Sequence, residues 1–203
     1  SFTPQFKYLG SHTHHTLTSE ADVDARITSA TSAFGALRRD VFSNKRVKLK
    51  TKGRLYRAFV LSILLYGSEC WCLTEKLFAR VRKFHNSCVR VMCRVKMCHV
   101  IRHHITTTTL LDKLHLNHID HYYNSRLLRW AGHVSRMDMT RTPRKLLTGW
   151  VANPRPNGRP PMTFGHTLKK ALLSKGLPAN FDEWHRIAAD RPRWRQIHTK
   201  VTD

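Results

Sequence analysis

From residue 19 onward, apolar side chains recur at steps of three and four. Val23, Ile27, Ala30, Phe34, Leu37 and Val41 draw one stripe along a helix. Ser19 stands where an N-cap belongs, and Glu20, Asp22 and Asp24 place negative charge at the positive end of the helix dipole. Asn44 and Lys45 punctuate that segment. A second helix is predicted from about residue 49 to 65, with Leu49, Tyr56, Phe59, Val60, Ile63 and Leu64 on its buried side and Gly67 just past its end. Thr74 and Glu75 open a third, in which Leu77, Val81, Phe84, Cys88 and Val91 again step by four and three. Three amphipathic helices joined by short links predict a helical bundle.

Outside this region the pattern is weaker. Gln5 to Leu9 alternates aromatic and polar residues and reads as an edge strand or hairpin arm, followed by a polar, histidine-bearing turn over residues 13–18. Met97 to Thr109 reads as a connector and 109–116 as a short helix; Ile119, Tyr123, Leu127, Trp130 and Val134 define a longer one. Pro143, Pro154, Pro156, Gly158, Pro160 and Pro161 then describe an extended basic linker. Thr167 to Ser174 and Asp182 to Asp190 look helical, and Pro192 suits the first turn of a last helix. The expected fold is mainly α: a strand and turn (1–18), a three-helix bundle (19–96), a connector and helical region (97–139), a Pro/Arg-rich linker (140–163) and a small helical segment (164–203).

Charge changes the picture from a bundle to a bundle with a partner. The 203 residues carry 36 Lys plus Arg against 13 Asp plus Glu, a formal charge of +23 with neutral histidines, which points to a polyanion. The longest apolar run, Ala58 to Tyr66, is too short to span a bilayer, and no signal peptide opens the chain. An intracellular protein, nuclear or cytoplasmic, with nucleic acid rather than membrane as its partner, is expected. Ser1 in place of Met suggests a fragment of something longer. The five cysteines, an odd count, speak against a disulfide framework. Cys88, Cys93 and Cys98 with His99 and His103 invite a zinc reading, but their spacing departs from structural zinc sites and buried or loop thiols are expected instead. No metal site and no cofactor are assigned to this chain.

The densest basic cluster is Lys48, Lys50, Lys52, Arg54 and Arg57 on the second helix, with no acid among them. Arg80, Arg82 and Lys83 follow on the third helix. These are the candidates for contacts that track a phosphate backbone without reading bases. The C-terminal part interleaves Arg129, Arg136, Arg159, Arg191 and Arg195 with Trp130, Trp184 and Trp194. That pattern suits stacking on splayed bases, and suits a helical core with a basic surface as well. Trp71 reads as a core residue.

Several stretches, in order along the chain, carry a resemblance. They are Phe6-Lys7-Tyr8-Leu9-Gly10-Ser11, Asp24-Ala25-Arg26-Ile27, Leu65-Tyr66-Gly67-Ser68-Glu69-Cys70-Trp71 and Phe84-His85-Asn86-Ser87-Cys88-Val89-Arg90. Further on stand Arg126-Leu127-Leu128-Arg129-Trp130-Ala131-Gly132-His133-Val134-Ser135-Arg136-Met137, then Gly158-Arg159-Pro160, and Ala189-Asp190-Arg191 with Trp194-Arg195. Together they resemble the region after the polymerase active site in non-LTR (LINE-type) retrotransposon reverse transcriptases. The resemblance implies the end of a palm with its primer grip, carried by Lys7, Tyr8 and Gly10, then a thumb and a C-terminal region. Tyr8 as a plain turn or core aromatic stays open beside the primer-grip role.

Phe164 stands where many relatives carry Trp. No aromatic-Ala-Asp-Asp and no other close carboxylate pair in a strand–turn–strand context occurs, whereas a polymerase needs at least two positioned carboxylates to hold its metal ions. The resemblance therefore implies a fragment of an RNA-directed DNA polymerase that grips template–primer nucleic acid without a catalytic palm. It would not be an enzyme on its own, the palm and fingers of the same polyprotein would be its partners, and the divalent ions, most simply Mg, would belong to them. The other reading is a free-standing basic helical module or the relic of an element. A strand at residues 6–10 with no sheet to complete would leave an unpaired edge, which a purpose-built domain avoids.

Overall fold

A computed structural model describes residues 5–15, 18–149 and 164–201. The molecule is mainly helical, a bundle preceded by a short antiparallel hairpin. It divides into two units, residues 1–67 with 73–120, and residues 68–72 with 121–203.

In the first unit, strands β1 (Gln5–Tyr8) and β2 (Ser11–His14) pair with Tyr8 opposite Ser11, leaving Leu9 and Gly10 as a two-residue turn. Both turn residues have positive φ, 46° and 87°, the backbone twist that suits a tight hairpin. This corrects two expectations: Thr13 and His14 belong to a strand rather than to a polar turn, and β1 has a partner within the chain.

Helix α1 (Glu20–Leu37) buries Val23, Ala30 and Phe34 and runs into a π-helical stretch, Arg38–Phe42. Phe34 stacks on Phe42 with ring centres 4.5 Å apart and meets Tyr56 edge-on at 6.3 Å. Ser19 occupies the N-cap position, but its side chain does not cap the helix. Helix α2 (Leu49–Leu55) continues through a second π-helical stretch, Tyr56–Leu61, into α3 (Ser62–Leu64). The wider turn rotates the stripe, so Phe59, expected inside, is 53% exposed while Tyr56, Val60, Leu61 and Leu64 are buried. Gly53 lets α2 approach a neighbour closely: a Cβ there would lie 2.0 Å from the Leu114 carbonyl oxygen.

Helix α4 (Glu75–Cys93) starts at Thr74, whose hydroxyl accepts the Leu77 N–H at 3.3 Å. Its buried face is Phe78, Val81, His85, Cys88, Val89 and Met92, about one residue round from the predicted stripe; Leu77, Phe84 and Val91 are half-buried. The predicted connector contains a short exposed helix α5 (Met97–Arg102), and the short helix expected over 109–116 is α6 (Thr107–Leu114), which packs on α2 and α4 through Leu110, Leu111 and Leu114.

The second unit holds most of α7 (Ile119–Ser135), then α8 (Thr142–Gly149), α9 (Phe164–Leu173), α10 (Phe181–Ala189) and α11 (Arg191–Thr199). Residues 142–149, expected in the extended linker, are helical. Pro143 sits in the first turn of α8, where the N–H it lacks has no intrahelical partner anyway. The prolines from 154 to 161 and Gly158-Arg159-Pro160 lie outside the described residues. Asn180 caps α10 by accepting the Asp182 N–H at 2.9 Å, and Asp190 caps α11 by accepting that of Arg193 at 3.1 Å, with Pro192 in the first turn as expected.

Candidate nucleic-acid interface

Lys48, Lys50, Arg54 and Arg57 are exposed, and among the described residues no ion pair includes them. Positions 50, 54 and 57 step by four and three, so three of these cations share one helix face. Lys52 departs from the group. It is 2% exposed, and its Nζ lies 3.4 Å from the Met92 carbonyl oxygen near the C-terminus of α4. Burial, and then the nearby Arg94 charge, hold its pKa below the usual lysine value. A buried ammonium cannot meet a phosphate, so Lys52 leaves the predicted set.

On α4, Arg80 pairs with Glu20 at 3.2 Å and with Asp24, and Arg82 pairs with Glu75 at 3.1 Å and Asp120 at 2.9 Å. The bond to Asp120 is the main cause that raises the Arg82 pKa. These arginines tie α4 to α1 and to the start of α7, which their spacing did not reveal. Lys83 is exposed and, among the described residues, outside every ion pair. Among the described residues, the predicted contact residues that are exposed and outside any ion pair are therefore Lys48, Lys50, Arg54, Arg57 and Lys83.

Three separate sequence stretches meet at the hairpin. The Tyr66 hydroxyl donates to the Leu9 carbonyl at 3.0 Å, the Arg26 guanidinium donates to the Gly10 carbonyl, and the same guanidinium lies over the Tyr66 ring, 4.4 Å from its centre. Asp22, buried, accepts the His12 N–H at 2.8 Å and faces Arg26 at 3.7 Å. The clasp fixes the hairpin turn on α1 while leaving Lys7 exposed and Phe6 and Tyr8 each 62% exposed, their rings 6.4 Å apart. Tyr8 is thus neither a core residue nor part of the clasp. It is an open aromatic face beside a lysine.

In the second unit, Arg129, Arg136, Arg191 and Arg195 line one cleft of about 950 Å³ between α7 and α11, together with Arg126. A smaller lobe of about 350 Å³ shares Arg126, Arg129, Arg136 and Arg191 and adds Glu69, Trp130 and His133. Residues 126, 129, 133 and 136 recur at helical spacing, the signal that could have placed Arg126 with the others. The Arg136 guanidinium donates to the Ala188 carbonyl at 2.5 Å. Burial, and then Arg129, lower the Arg126 pKa; burial, and then Arg191, lower that of Arg136. His198, buried and 3.2 Å from the Ser125 hydroxyl, is also pushed toward neutrality by burial and Arg129.

The tryptophans here are mainly core. Trp184 and Trp194 are each 2% exposed, and the Trp194 indole donates to the Leu128 carbonyl at 2.9 Å. A Cβ on Gly132 would come within 2.2 Å of that indole nitrogen, so the glycine makes room for α11 against α7. Trp130 is half-buried and meets Phe164 edge-on at 5.3 Å, a contact that an aromatic at 164 provides. Trp71 is 3% exposed, and its carbonyl accepts the Tyr123 hydroxyl at 3.0 Å.

The cysteine–histidine cluster is dispersed. Cys88 is buried, which pushes its thiol pKa up to about 12; the Cys93 thiol is 3.6 Å from the Leu110 carbonyl, and Cys98 lies exposed beside His99. Among the described residues, no three His, Cys, Asp or Glu side chains gather as metal ligands, and no helix is long and apolar enough to cross a membrane.

No protein family and no solved structure matches this chain. It is 27% identical over 209 residues to an uncharacterised transposon-derived protein of Caenorhabditis elegans, an alignment that covers 98% of this chain and 71% of that one. The chain is thus a distant homologue of a transposon-derived protein, strongly basic and, among the described residues, mainly helical.

Proposed function

We propose that this chain is the thumb and C-terminal region of a LINE-type reverse transcriptase, gripping template–primer nucleic acid through phosphate contacts. The observation that carries this reading is the hairpin clasp. Arg26, Tyr66 and the Leu9-Gly10 turn come from three of the stretches that resemble the family, and they meet to present Lys7 and Tyr8 outward. A fixed turn that leaves Lys7 and Tyr8 exposed suits the primer-grip role that the resemblance implies. The exposed cations Lys48, Lys50, Arg54 and Arg57 supply sequence-independent attraction to a backbone. Catalysis belongs to a palm with paired carboxylates, and the chain alone extends no primer.

The test is binding of an RNA–DNA hybrid by the full chain and by its Lys48→Gln/Lys50→Gln/Arg54→Gln variant. Affinity should fall about tenfold or more, and about equally on unrelated sequences. An unchanged affinity, or a loss confined to one sequence, contradicts the grip. The pairing of β1 with β2 inside the chain favours a second reading, a free-standing module of the same origin, because no strand edge of the hairpin waits for a palm sheet to supply its first partner. Cooperative unfolding of the isolated chain would support that reading.

A further inference from the structure

We infer that the arginine cleft of the second unit holds a single-stranded stretch of nucleic acid, a site distinct in ligand from the duplex-tracking face of α2. The inference goes beyond the grip proposed above and does not require it. Its basis is the kind of charge and the shape that hold it. Among the described residues, every Lys or Arg that lines the cleft is an arginine, Arg126, Arg129, Arg136, Arg191 and Arg195, and Glu69 in the smaller lobe is the one carboxylate on the walls of either. Guanidinium planes bind phosphate in a fork and stack on bases, which the point charge of a lysine does not do. A cleft of about 950 Å³ has the size of a small-ligand pocket, room for about two or three nucleotides.

The cleft is also rigidly framed. Trp194 docks on the Leu128 carbonyl over Gly132, the Ser125 hydroxyl bonds His198, and Arg136 is held by the Ala188 carbonyl. The N-terminus of α11 is not the anion site, because Asp190 already caps it and Pro192 removes a donor from its first turn. Arg126 and Arg136 lose solvent and face Arg129 and Arg191, an arrangement of like charges that a bound polyanion relieves. The half-buried Trp130 borders the smaller lobe and offers an aromatic wall at its edge.

The experiment compares two fluorescent probes on the full chain at one ionic strength, a uridine oligomer of about eight nucleotides and a blunt DNA duplex. The Arg129→Gln/Arg195→Gln variant changes two exposed side chains, and near-ultraviolet circular dichroism of the tryptophans verifies that the fold is kept. It should weaken the single strand about tenfold or more and the duplex less than about twofold. The Lys48→Gln/Lys50→Gln/Arg54→Gln variant should show the reverse. Equal losses on both probes, or an undiminished affinity of the Arg129→Gln/Arg195→Gln variant for the oligomer, overturn the inference. Arg129→Lys/Arg195→Lys should recover only part of the loss; full recovery would mean diffuse charge rather than a built cleft, and overturns it too. Tripolyphosphate presents closely spaced phosphates without bases, so displacement of the oligomer at equal phosphate concentration would reassign the cleft to a free polyphosphate. If neither variant weakens the duplex, the grip reading fails while the single-strand result is judged independently.

Discussion

Burial sorts the basic residues of α2 and the π-helical stretch after it into two kinds. Lys50, Arg54 and Arg57 face solvent, whereas Lys52 reaches the carbonyl of Met92 from a 2% exposed position. Lys52→Met should therefore leave affinity for duplex within about twofold of the parent and lower stability by no more than about 1 kcal/mol, read from binding and urea titrations on the same variant. That position was legible in retrospect: residue 52 stands three after Leu49 and four before Tyr56, on the apolar stripe itself. His85 is the same kind of residue, four positions from Val81 and from Val89. It bonds the Tyr56 hydroxyl at 3.0 Å and the Asn117 carbonyl at 3.2 Å, and burial brings its pKa down from 6.5 to about 4. The unfolded chain therefore takes up a proton before the folded one as pH falls. The contribution is intact above pH 6.5, declines between 6.5 and about 4, and amounts to on the order of 3 kcal/mol. The half-buried His121, also brought down to about 4, acts in the same direction. Urea unfolding at pH 7 and pH 5 should show a marked loss for the parent chain and a smaller one for His85→Gln; equal losses would remove His85 from this account.

At the scale of elements, periodicity predicted α1, α4 and α7 well, because each packs one continuous face on neighbours. It failed where the helix itself departs from 3.6 residues per turn. The π-helical stretch Tyr56–Leu61 turns Phe59 outward, and no local residue pattern announces such a stretch. Contacts between distant segments were equally hidden. Gly132 stood out only through the resemblance, and its physical reason, the indole of Trp194, lies far along the chain. Gly132→Ala should cost about 2–3 kcal/mol by forcing α11 away from α7, measured by urea unfolding followed through tryptophan fluorescence. A change below about 0.5 kcal/mol would mean that the two helices adjust freely, against the close packing described here. The clasp of Arg26, Tyr66 and the hairpin turn joins segments whose order, but not whose meeting, was visible in the sequence.

For the whole molecule, the charge of +23 remains the broadest statement about function, and the structure refines where it is usable. Part of it is spent within the fold, in the pairs of Arg80 and Arg82 and in buried Lys52. Part is gathered into the arginine cleft, and part lies open on α2 and at Lys83. Composition could indicate a polyanion but not this division, which depends on which side chains the packing brings together. The central claim is that the chain holds nucleic acid by its phosphates, and the salt dependence of duplex affinity tests it most directly. With Lys48, Lys50, Arg54, Arg57 and Lys83 neutralising about five phosphates, the logarithm of the association constant should fall against the logarithm of salt concentration with a slope of roughly −4 to −5. A slope near zero would contradict the claim.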